Sequence, residues 1–475
     1  MPRNTKAFAF AAVSMIALGV AGAAQASSFA IRAGQSTQGL GLSFAGAASG
    51  GIGLGAMAWN PATITMFPGR QSQLNVTYIL PYAAYRGDAQ AQVRAAQVSA
   101  LLGRPVSPDT GNIGGSGALV PASYTAWQLT PNLSVGWTTG APWGLSSKPE
   151  NQDFVGQIYG RSSTIRTINV SPTVGYRVND WFSVGAALQV QYFTTDLKQA
   201  YPFPFGIPGV SPDPRAPLGP FAPGAPSTII KGDDIGFGFR LGATLRPWEG
   251  ATIGLGYRSE IRHDLRGTFS TPGVLPTPDG GFITAGDYPI RASLRLPQSV
   301  TFGYTQVIND RWTAHFGAEW TDWSVFSRFP LVRRDNGQVI TSLNFDYRDS
   351  WFVAAGAEYR WDDRLTLRGG IAYEWSAVSD RVRTVRISDN DRLWLSIGAG
   401  YQITEQLRLD ASYAHLFVKK APVAIAAGNP SFNPALPVEY RATARPNVNI
   451  FSVSLTYRWD RPTAAAQPVP GIFKN

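Results

Sequence analysis

The chain has 475 residues, of which 15% are charged and 12% aromatic, with a formal net charge of +10 and no cysteine. A typical soluble domain carries about 25% charged residues, and a disordered chain is poor in apolar and aromatic residues, so the composition fits neither class. Without cysteine there is no disulfide framework, no thiolate metal site and no cysteine nucleophile. The positive charge would suit a nucleic-acid-binding protein, but the arginines are scattered singly, and we expect no nucleic-acid partner.

The N-terminus has the pattern of an export signal. Basic Arg3 and Lys6 precede an apolar run over 7–23, and Ala24-Gln25-Ala26 matches the small-residue cleavage pattern. We predict a signal peptide over 1–26, with a retained membrane anchor as the alternative. Beyond this segment no run of about 18 apolar residues follows, so no membrane-spanning helix is expected. For an exported chain without such a helix, the possible locations are the periplasm, the outer membrane and the exterior.

Apolar and polar residues alternate with a period of two through most of the chain. Between Phe182 and Tyr192 every second residue is apolar or aromatic, and the residues between them are small or polar. Such segments predict strands of about eleven residues, which can cross a membrane when tilted. An apolar face opposite a face of glycine and polar residues is typical of a transmembrane β-barrel. A soluble β-sandwich, the alternative, rarely carries so much glycine.

Turn residues divide the chain into fourteen predicted strands. Six short turns, near 131–132, 179–180, 246–250, 309–310, 362–363 and 405–406, alternate with seven long connections, at 86–117, 146–160, 197–230, 270–289, 326–345, 378–391 and 419–446. An even strand number puts both termini on the short-turn, periplasmic side. We therefore predict an all-β fold, a 14-stranded antiparallel transmembrane β-barrel over 71–459, followed by a C-terminal tail over 460–475.

Residues 27–70 precede the first strand and are rich in glycine, alanine and apolar residues without strand alternation. We predict that they form an N-terminal plug, or hatch, inside the lumen. A periplasmic tail is the alternative, although a tail should be more polar. Asn60-Pro61-Ala62 ends this segment as a plug-junction motif, because Pro61 restricts the backbone and the Asn60 side chain can bond to nearby main chain.

The third predicted strand contains the sequence Gly140-Ala141-Pro142-Trp143-Gly144. Proline cannot donate to a strand ladder, so this segment predicts a kink and a local break in the barrel wall. The alternative is that the strand only frays at its upper end.

Four further stretches of the chain form recognisable motifs: Gly39–Gly46, Trp59-Asn60-Pro61-Ala62-Thr63, Thr138–Leu145 and Asp233–Phe239. Together they resemble the FadL family of outer-membrane transporters for long-chain fatty acids and other hydrophobic compounds, including aromatic hydrocarbons. The resemblance implies a barrel with a hatch and a third strand kinked inward to form a lateral gate. It also implies passive diffusion: ligand is caught among the outer loops, enters the lumen and leaves sideways into the membrane.

Five arginines on strands six to eight point into the lumen by period-two parity: Arg240, Arg258, Arg262, Arg291 and Arg295. A guanidinium can hold a carboxylate bidentately, so these residues are candidates for binding a fatty-acid headgroup. The alternative is an internal ion-pair network that braces barrel and plug. Aromatic residues of the Pro-rich loop after strand five are predicted to capture ligand at the outer face; they are Tyr201, Phe203, Phe205 and Phe221.

The three histidines lie in different strands without the spacing of a metal site, and no Ser-His pair emerges, so we expect no metal, no cofactor and no enzyme. The favoured function is uptake of a hydrophobic small molecule, a fatty acid before a hydrocarbon, across the outer membrane of a Gram-negative bacterium. We expect a monomer that contacts outer-membrane lipid and lipopolysaccharide. An aromatic-hydrocarbon channel of the same fold, a general diffusion porin and a surface adhesin are the alternatives.

Overall fold

The computed structural model describes residues 30–103, 105–201, 226–432 and 438–460. These residues form a closed antiparallel barrel of fourteen strands, which confirms the predicted fold class. The strands are β1 (Arg70–Tyr82), β2 (Ala118–Gln128), β3 (Leu133–Gly140 and Gly144–Ser147), β4 (Ser162–Arg177), β5 (Phe182–Ala200), β6 (Ser227–Leu245), β7 (Ala251–Arg258 and Ile261–Thr271), β8 (Gly286–Leu296 and Ser299–Val307), β9 (Trp312–Thr321), β10 (Ser350–Arg360), β11 (Leu365–Glu374), β12 (Arg392–Gln402), β13 (Leu407–Val418) and β14 (Asn447–Arg458). Each strand pairs with the next along the chain, and β1 closes the ring against β14.

In the described residues, helical structure is short and forms no part of the barrel wall. It comprises α1 (Thr37–Gly41), α2 (Ala89–Leu102) and the 3-10 helices Ala33–Gln35, Gly53–Ala58, Pro61–Met66 and Trp323–Val325. Within the described ranges, none of the helices combines the length and the apolar character needed to span a membrane. The predicted signal peptide over 1–26, the loop residues Phe203, Phe205 and Phe221, and the tail beyond 460 lie outside the described residues and stay predictions.

The outer surface of the barrel carries the apolar residues of the alternating pattern. Phe237, Leu255 and Ile397 are 64%, 51% and 63% exposed, as expected for side chains that face lipid. Tryptophan rings lie near both ends of this apolar belt. Trp320 lies opposite Trp351 towards the long loops, and tryptophans at the short turns mark the other end. Aromatic residues are enriched at both membrane–water interfaces, so the two sets of rings mark the two edges of the hydrocarbon layer.

The hatch, residues 30–66, fills the lumen. Most of its apolar side chains are buried, and those of Leu40, Ile52 and Ile64 have no exposed surface. The hatch backbone lies so close to the wall that a Cβ on Gly254 would come within 1.8 Å of the Ala48 carbonyl oxygen. Glycines on the inner face are therefore required for the plug to fit, which gives a physical reason for their alternation with apolar residues.

Additional strands extend the barrel beyond the membrane. The hairpin Arg328–Arg333 and Val339–Asn344 prolongs β9 and β10, and Leu275–Pro276 pairs with Phe282–Ile283. A separate four-stranded sheet combines Ala84–Gly87, Gly111–Asn112, Ala421–Ile425 and Tyr440–Ala444. Tyr85 and Tyr440 of this sheet are fully buried in an apolar cluster, so the outer loops have a packed core of their own.

Strands β7 and β8, predicted as continuous segments, are each interrupted. The breaks fall at Ser259-Glu260 in β7 and at Pro297-Gln298 in β8. In β7 the Ser259 hydroxyl takes the place of a backbone acceptor and accepts a hydrogen bond from the Phe239 amide at 2.9 Å. In β8 Pro297 interrupts the ladder because it has no N–H to donate. Side chains alternate with a period of exactly two, so an irregularity of one residue transfers everything beyond it to the opposite face.

Candidate functional site

The wall of the barrel is broken in β3. The first part of β3 pairs with β4 up to Gly140 opposite Asn169, and the second part resumes at Gly144 opposite Arg166. Residues 141–143 between them are buried rather than lipid-facing. On the other side, pairing of β2 with β3 ends at Ser123 opposite Thr139. The upper part of β3 has therefore turned inward, away from β2, as Pro142 predicted.

The N-terminal end of the hatch occupies the place that β2 leaves. The Ile31 amide donates to the Pro142 carbonyl at 2.8 Å, and Ala30 forms an antiparallel bridge with Trp143. The Gln35 side chain donates to the Ala141 carbonyl at 3.1 Å. These bonds satisfy backbone groups that would be costly to leave unpaired at membrane depth. The hatch thus closes the break with only a few hydrogen bonds.

Asn60 joins the hatch to a different part of the wall. Its side-chain oxygen accepts from the Ala62 amide at 3.0 Å and caps the helix that begins at Pro61. Its side-chain nitrogen donates to the Ala48 carbonyl at 2.7 Å and to the Ala243 carbonyl of β6 at 2.8 Å. The motif therefore ties two hatch segments to β6, whereas the break in β3 is braced by Ile31 and Gln35.

We expect Asn60→Ala to destabilise the protein by about 2–4 kcal/mol, because it removes a helix cap and the side-chain donor to the Ala48 and Ala243 carbonyls. Unfolding in detergent, followed by tryptophan fluorescence, measures the change. Asn132→Ala is the matched control, since Asn132 is exposed in a short turn. Equal stability of the two variants would show that the motif does not hold the hatch.

Two of the five predicted arginines face the lumen. Arg240 is 2% exposed, lies directly opposite Arg258 across β6 and β7, and has a hydrogen bond of 3.4 Å to the Thr138 hydroxyl of β3. Its Nε has no hydrogen-bond partner, and no carboxylate pairs with it among the described residues. Arg258 donates to the Ala58 carbonyl of the hatch at 3.2 Å. Arg240 therefore places a positive charge without a carboxylate partner below the break in β3.

Arg262, Arg291 and Arg295 do not face the lumen, and the prediction that they line it is wrong. They lie beyond the interruptions of β7 and β8, where parity is reversed, and their side chains are exposed on the outside of the barrel. His263 and Leu294, their chain neighbours, point inward instead, with 0% and 8% exposure. In the sequence, Pro297 indicates the interruption of β8.

The remaining lumen charges form an internal network. Arg32 of the hatch binds Glu319 of β9 through two bonds of 2.8 and 3.0 Å, and the Trp59 indole donates to the same carboxylate at 3.0 Å. Arg368 binds Asp410 at 2.8 Å on the other side of the barrel. The Arg32–Glu319 pair braces the hatch against the wall, whereas Arg368 and Asp410 join two strands of the wall. Buried charges that are paired in this way have a structural role.

An apolar cavity of about 540 Å³ lies among the outer loops and extends to β3. Leu145, directly after the break, forms part of its wall together with Ile165 and Phe326. The rings of Phe326, Trp323 and Trp143 follow one another at centroid distances of 6.0 and 5.4 Å and connect the cavity with the break. Pockets of about 300–1,000 Å³ with mostly apolar walls are typical of small-molecule sites.

Arg386 supplies a positive charge to this cavity. Its guanidinium donates to the Ser163 hydroxyl at 2.8 Å and to the Gln199 side chain at 2.9 Å. No carboxylate lies within ion-pair distance of it in the part of the chain described, and no acidic residue is among the cavity-lining residues. Burial lowers the pKa of Arg386 to about 10, so it is charged at neutral pH. Sequence reasoning missed Arg386, because it lies in a loop without periodicity.

Tyr201 was predicted to capture ligand, but its position does not allow this. The side chain is 2% exposed, and its hydroxyl donates to the Val274 carbonyl at 2.7 Å. It does not line the cavity. Tyr201 therefore holds two outer loops together.

A fourteen-stranded barrel with lipid-facing aromatic belts, a plugged lumen and a broken wall defines an outer-membrane transport channel. Residues 17–459 match the family model described as outer membrane protein transport protein (OMPP1/FadL/TodX). The chain belongs to this family. It is a transport protein of the Gram-negative outer membrane rather than an enzyme.

Individual relatives agree with this assignment. The chain is 27% identical to the 47 kDa outer membrane protein of Pasteurella multocida, with 93% of this chain and 96% of that protein covered. It is also 27% identical to a long-chain fatty acid transport protein of Escherichia coli, with 80% and 85% covered. A Pseudomonas aeruginosa FadL homologue of known structure is 26% identical, covers 92% of this chain and 100% of its own, and has a TM-score of 0.76. The toluene transporter TbuX of Ralstonia pickettii is similar in fold, with 17% identity, a TM-score of 0.58 and coverage of 89% and 98%.

Proposed function

We propose that the protein takes up long-chain fatty acids by passive diffusion and releases them sideways through the break in β3. The observation that carries the proposal is the cavity beside β3, which combines apolar walls with the carboxylate-free guanidinium of Arg386. A fatty acid presents the complementary parts, an alkyl chain and one carboxylate. A neutral hydrocarbon would gain nothing from this half-buried charge.

Each stage of the proposed path has a physical basis. An alkyl chain gains about 0.8 kcal/mol for each CH₂ group removed from water, so the cavity can draw ligand from the medium. The line of rings from Phe326 to Trp143 leads toward the break. Arg240 and Arg258, the lumen-facing members of the predicted set, are proposed to attract the carboxylate on its way. Exit between β2 and β3 opens into hydrocarbon, so the whole route is downhill without an energy source.

The relatives support fatty acid over aromatic hydrocarbon as the substrate. The chain is more similar to proteins named for long-chain fatty acid transport, at 27% identity, than to a toluene transporter, at 17%. A closed barrel with a plug of its own needs no partner subunit, so we propose that it works as a monomer among outer-membrane lipid and lipopolysaccharide. Aromatic-hydrocarbon uptake remains the second candidate, because TbuX shares the fold.

Equilibrium binding to the purified protein in detergent tests the substrate. We expect saturable binding of oleate, weaker binding of oleyl alcohol, which lacks the charge, and little displacement of oleate by toluene. Uptake of labelled oleate into a Gram-negative host without its own fatty-acid channel tests transport. Toluene binding without oleate binding would assign the protein to hydrocarbon uptake.

A further inference from the structure

Four arginines form a compact patch on the outside of the barrel, on the upper parts of β7 and β8. Arg262 and Arg266 lie on Ile261–Thr271, and Arg291 and Arg295 lie on Gly286–Leu296. All four side chains are exposed. This set is called the arginine patch.

The register places like charges directly opposite one another. Arg262 faces Arg295, and Arg266 faces Arg291, across the two strands. Like charges at directly opposed positions destabilise a sheet, and on this face only Asp264 opposite Ser293 separates the two arginine pairs. The reversed parity beyond Pro297 and Ser259 is what brings all four to the outside.

The acidic residues nearby offset only part of this charge. Asp264 pairs with Arg262 at 3.1 Å, and Glu260 lies 3.7 Å from Arg295. Asp233 of β6 is the cross-strand neighbour of Arg266 but forms no ion pair with it. Over the described ranges, Arg266 and Arg291 have no ion-pair partner within 4.0 Å. The patch therefore has a net positive charge centred on these two residues.

The patch lies immediately beyond the hydrocarbon layer on the side of the long loops. On β8, Val300 is opposite Trp320 of the aromatic belt, and Arg295 follows further outward. On β6, Ile235 begins the lipid-facing row just below Asp233, the neighbour of Arg266. Aromatic belts mark the level of lipid headgroups, so the arginines lie on the outer side of that level, where the polar part of the outer leaflet surrounds the barrel.

We propose that the arginine patch binds the phosphate groups of lipopolysaccharide. The outer leaflet of the outer membrane is built of this phosphorylated glycolipid, and guanidinium groups bind phosphate bidentately. A bound phosphate between Arg266 and Arg291 would turn their mutual repulsion into shared attraction. Clusters of basic residues at the membrane surface are typical sites for anionic lipid headgroups. The proposal is independent of the transported ligand.

Native mass spectrometry of the purified protein, titrated with diphosphorylated lipid A, tests the proposal. Arg266→Gln with Arg291→Gln should weaken binding roughly twenty-five-fold, since each basic residue at a membrane surface contributes a factor of about five. The matched control is Arg360→Gln with Arg364→Gln, which removes two exposed arginines at the opposite, short-turn end and should leave binding unchanged. Fully dephosphorylated lipid A should bind no better to the wild type than to the patch variant.

The unfolding temperature in detergent free of lipopolysaccharide separates binding from folding. The patch variant should be at least as stable as the wild type there, because it loses a like-charge pair. Equal lipid A binding by the patch variant and the wild type would overturn the proposal. If phosphatidylglycerol competes as effectively as lipid A, the patch is a general anionic-lipid surface and the proposal is overturned. If millimolar inorganic phosphate displaces lipid A, the patch is a small-anion site and the proposal is likewise overturned.

Discussion

A disulfide between residues 30 and 143 is expected to abolish oleate uptake, and reduction should restore it. Ala30 and Trp143 are partners in the antiparallel bridge by which the hatch closes the break in β3. Bridge partners have Cα atoms about 4.5–5.5 Å apart, within the range that a disulfide spans. The natural chain has no cysteine, so Ala30→Cys with Trp143→Cys can form only the intended bond. Uptake of labelled oleate by cells, with and without reductant, measures the effect.

The matched control places a disulfide in intact wall. Val76 of β1 and Val453 of β14 are directly opposite and both face outward, so Val76→Cys with Val453→Cys should leave uptake unchanged. The single variant Trp143→Cys separates loss of the indole from loss of movement. Full uptake with the 30–143 disulfide formed would mean that ligand leaves the barrel elsewhere.

Arg386→Gln is expected to weaken oleate binding about tenfold to a hundredfold, because a hydrogen bond to a charged group contributes about 1.5–3 kcal/mol. Binding of oleyl alcohol should change little, since it has no carboxylate to lose. With a pKa of about 10, the guanidinium keeps its proton at pH 7–9 and loses it as pH rises through 10. Oleate affinity should therefore hold to pH 9 and fall above pH 10. Equilibrium binding in detergent measures each of these quantities.

Arg295→Gln is the matched control for Arg386→Gln. It removes the same charge from a residue on the outer wall, and oleate binding should be unaffected. Arg240→Gln tests the deeper position separately: removing an unpaired buried charge should not destabilise the barrel, while uptake should slow. Equal losses of oleate and oleyl alcohol affinity in Arg386→Gln would show that Arg386 shapes the cavity rather than binding the carboxylate.

The sequence alone predicts those features of the protein that depend on patterns between neighbouring residues. Alternation with a period of two sets the face of each residue within an unbroken strand, and turn residues set the strand number, so the fourteen-stranded barrel follows. The apolar hatch without alternation and the break at Pro142 follow from the same rules. Asn60 could be recognised as a cap, because its short side chain beside Pro61 bonds to nearby main chain.

Only the tertiary structure decided which way the charges face. One-residue irregularities at Ser259-Glu260 and Pro297-Gln298 reverse the parity of everything beyond them, so Arg262, Arg291 and Arg295 lie on the outside while Arg240 and Arg258 stay in the lumen. Arg386 reaches the ligand cavity from a loop, where no periodicity relates sequence position to direction. Period-two reasoning predicts a side chain's face only as far as the nearest bulge, whereas contacts between distant loops depend on how the whole barrel closes.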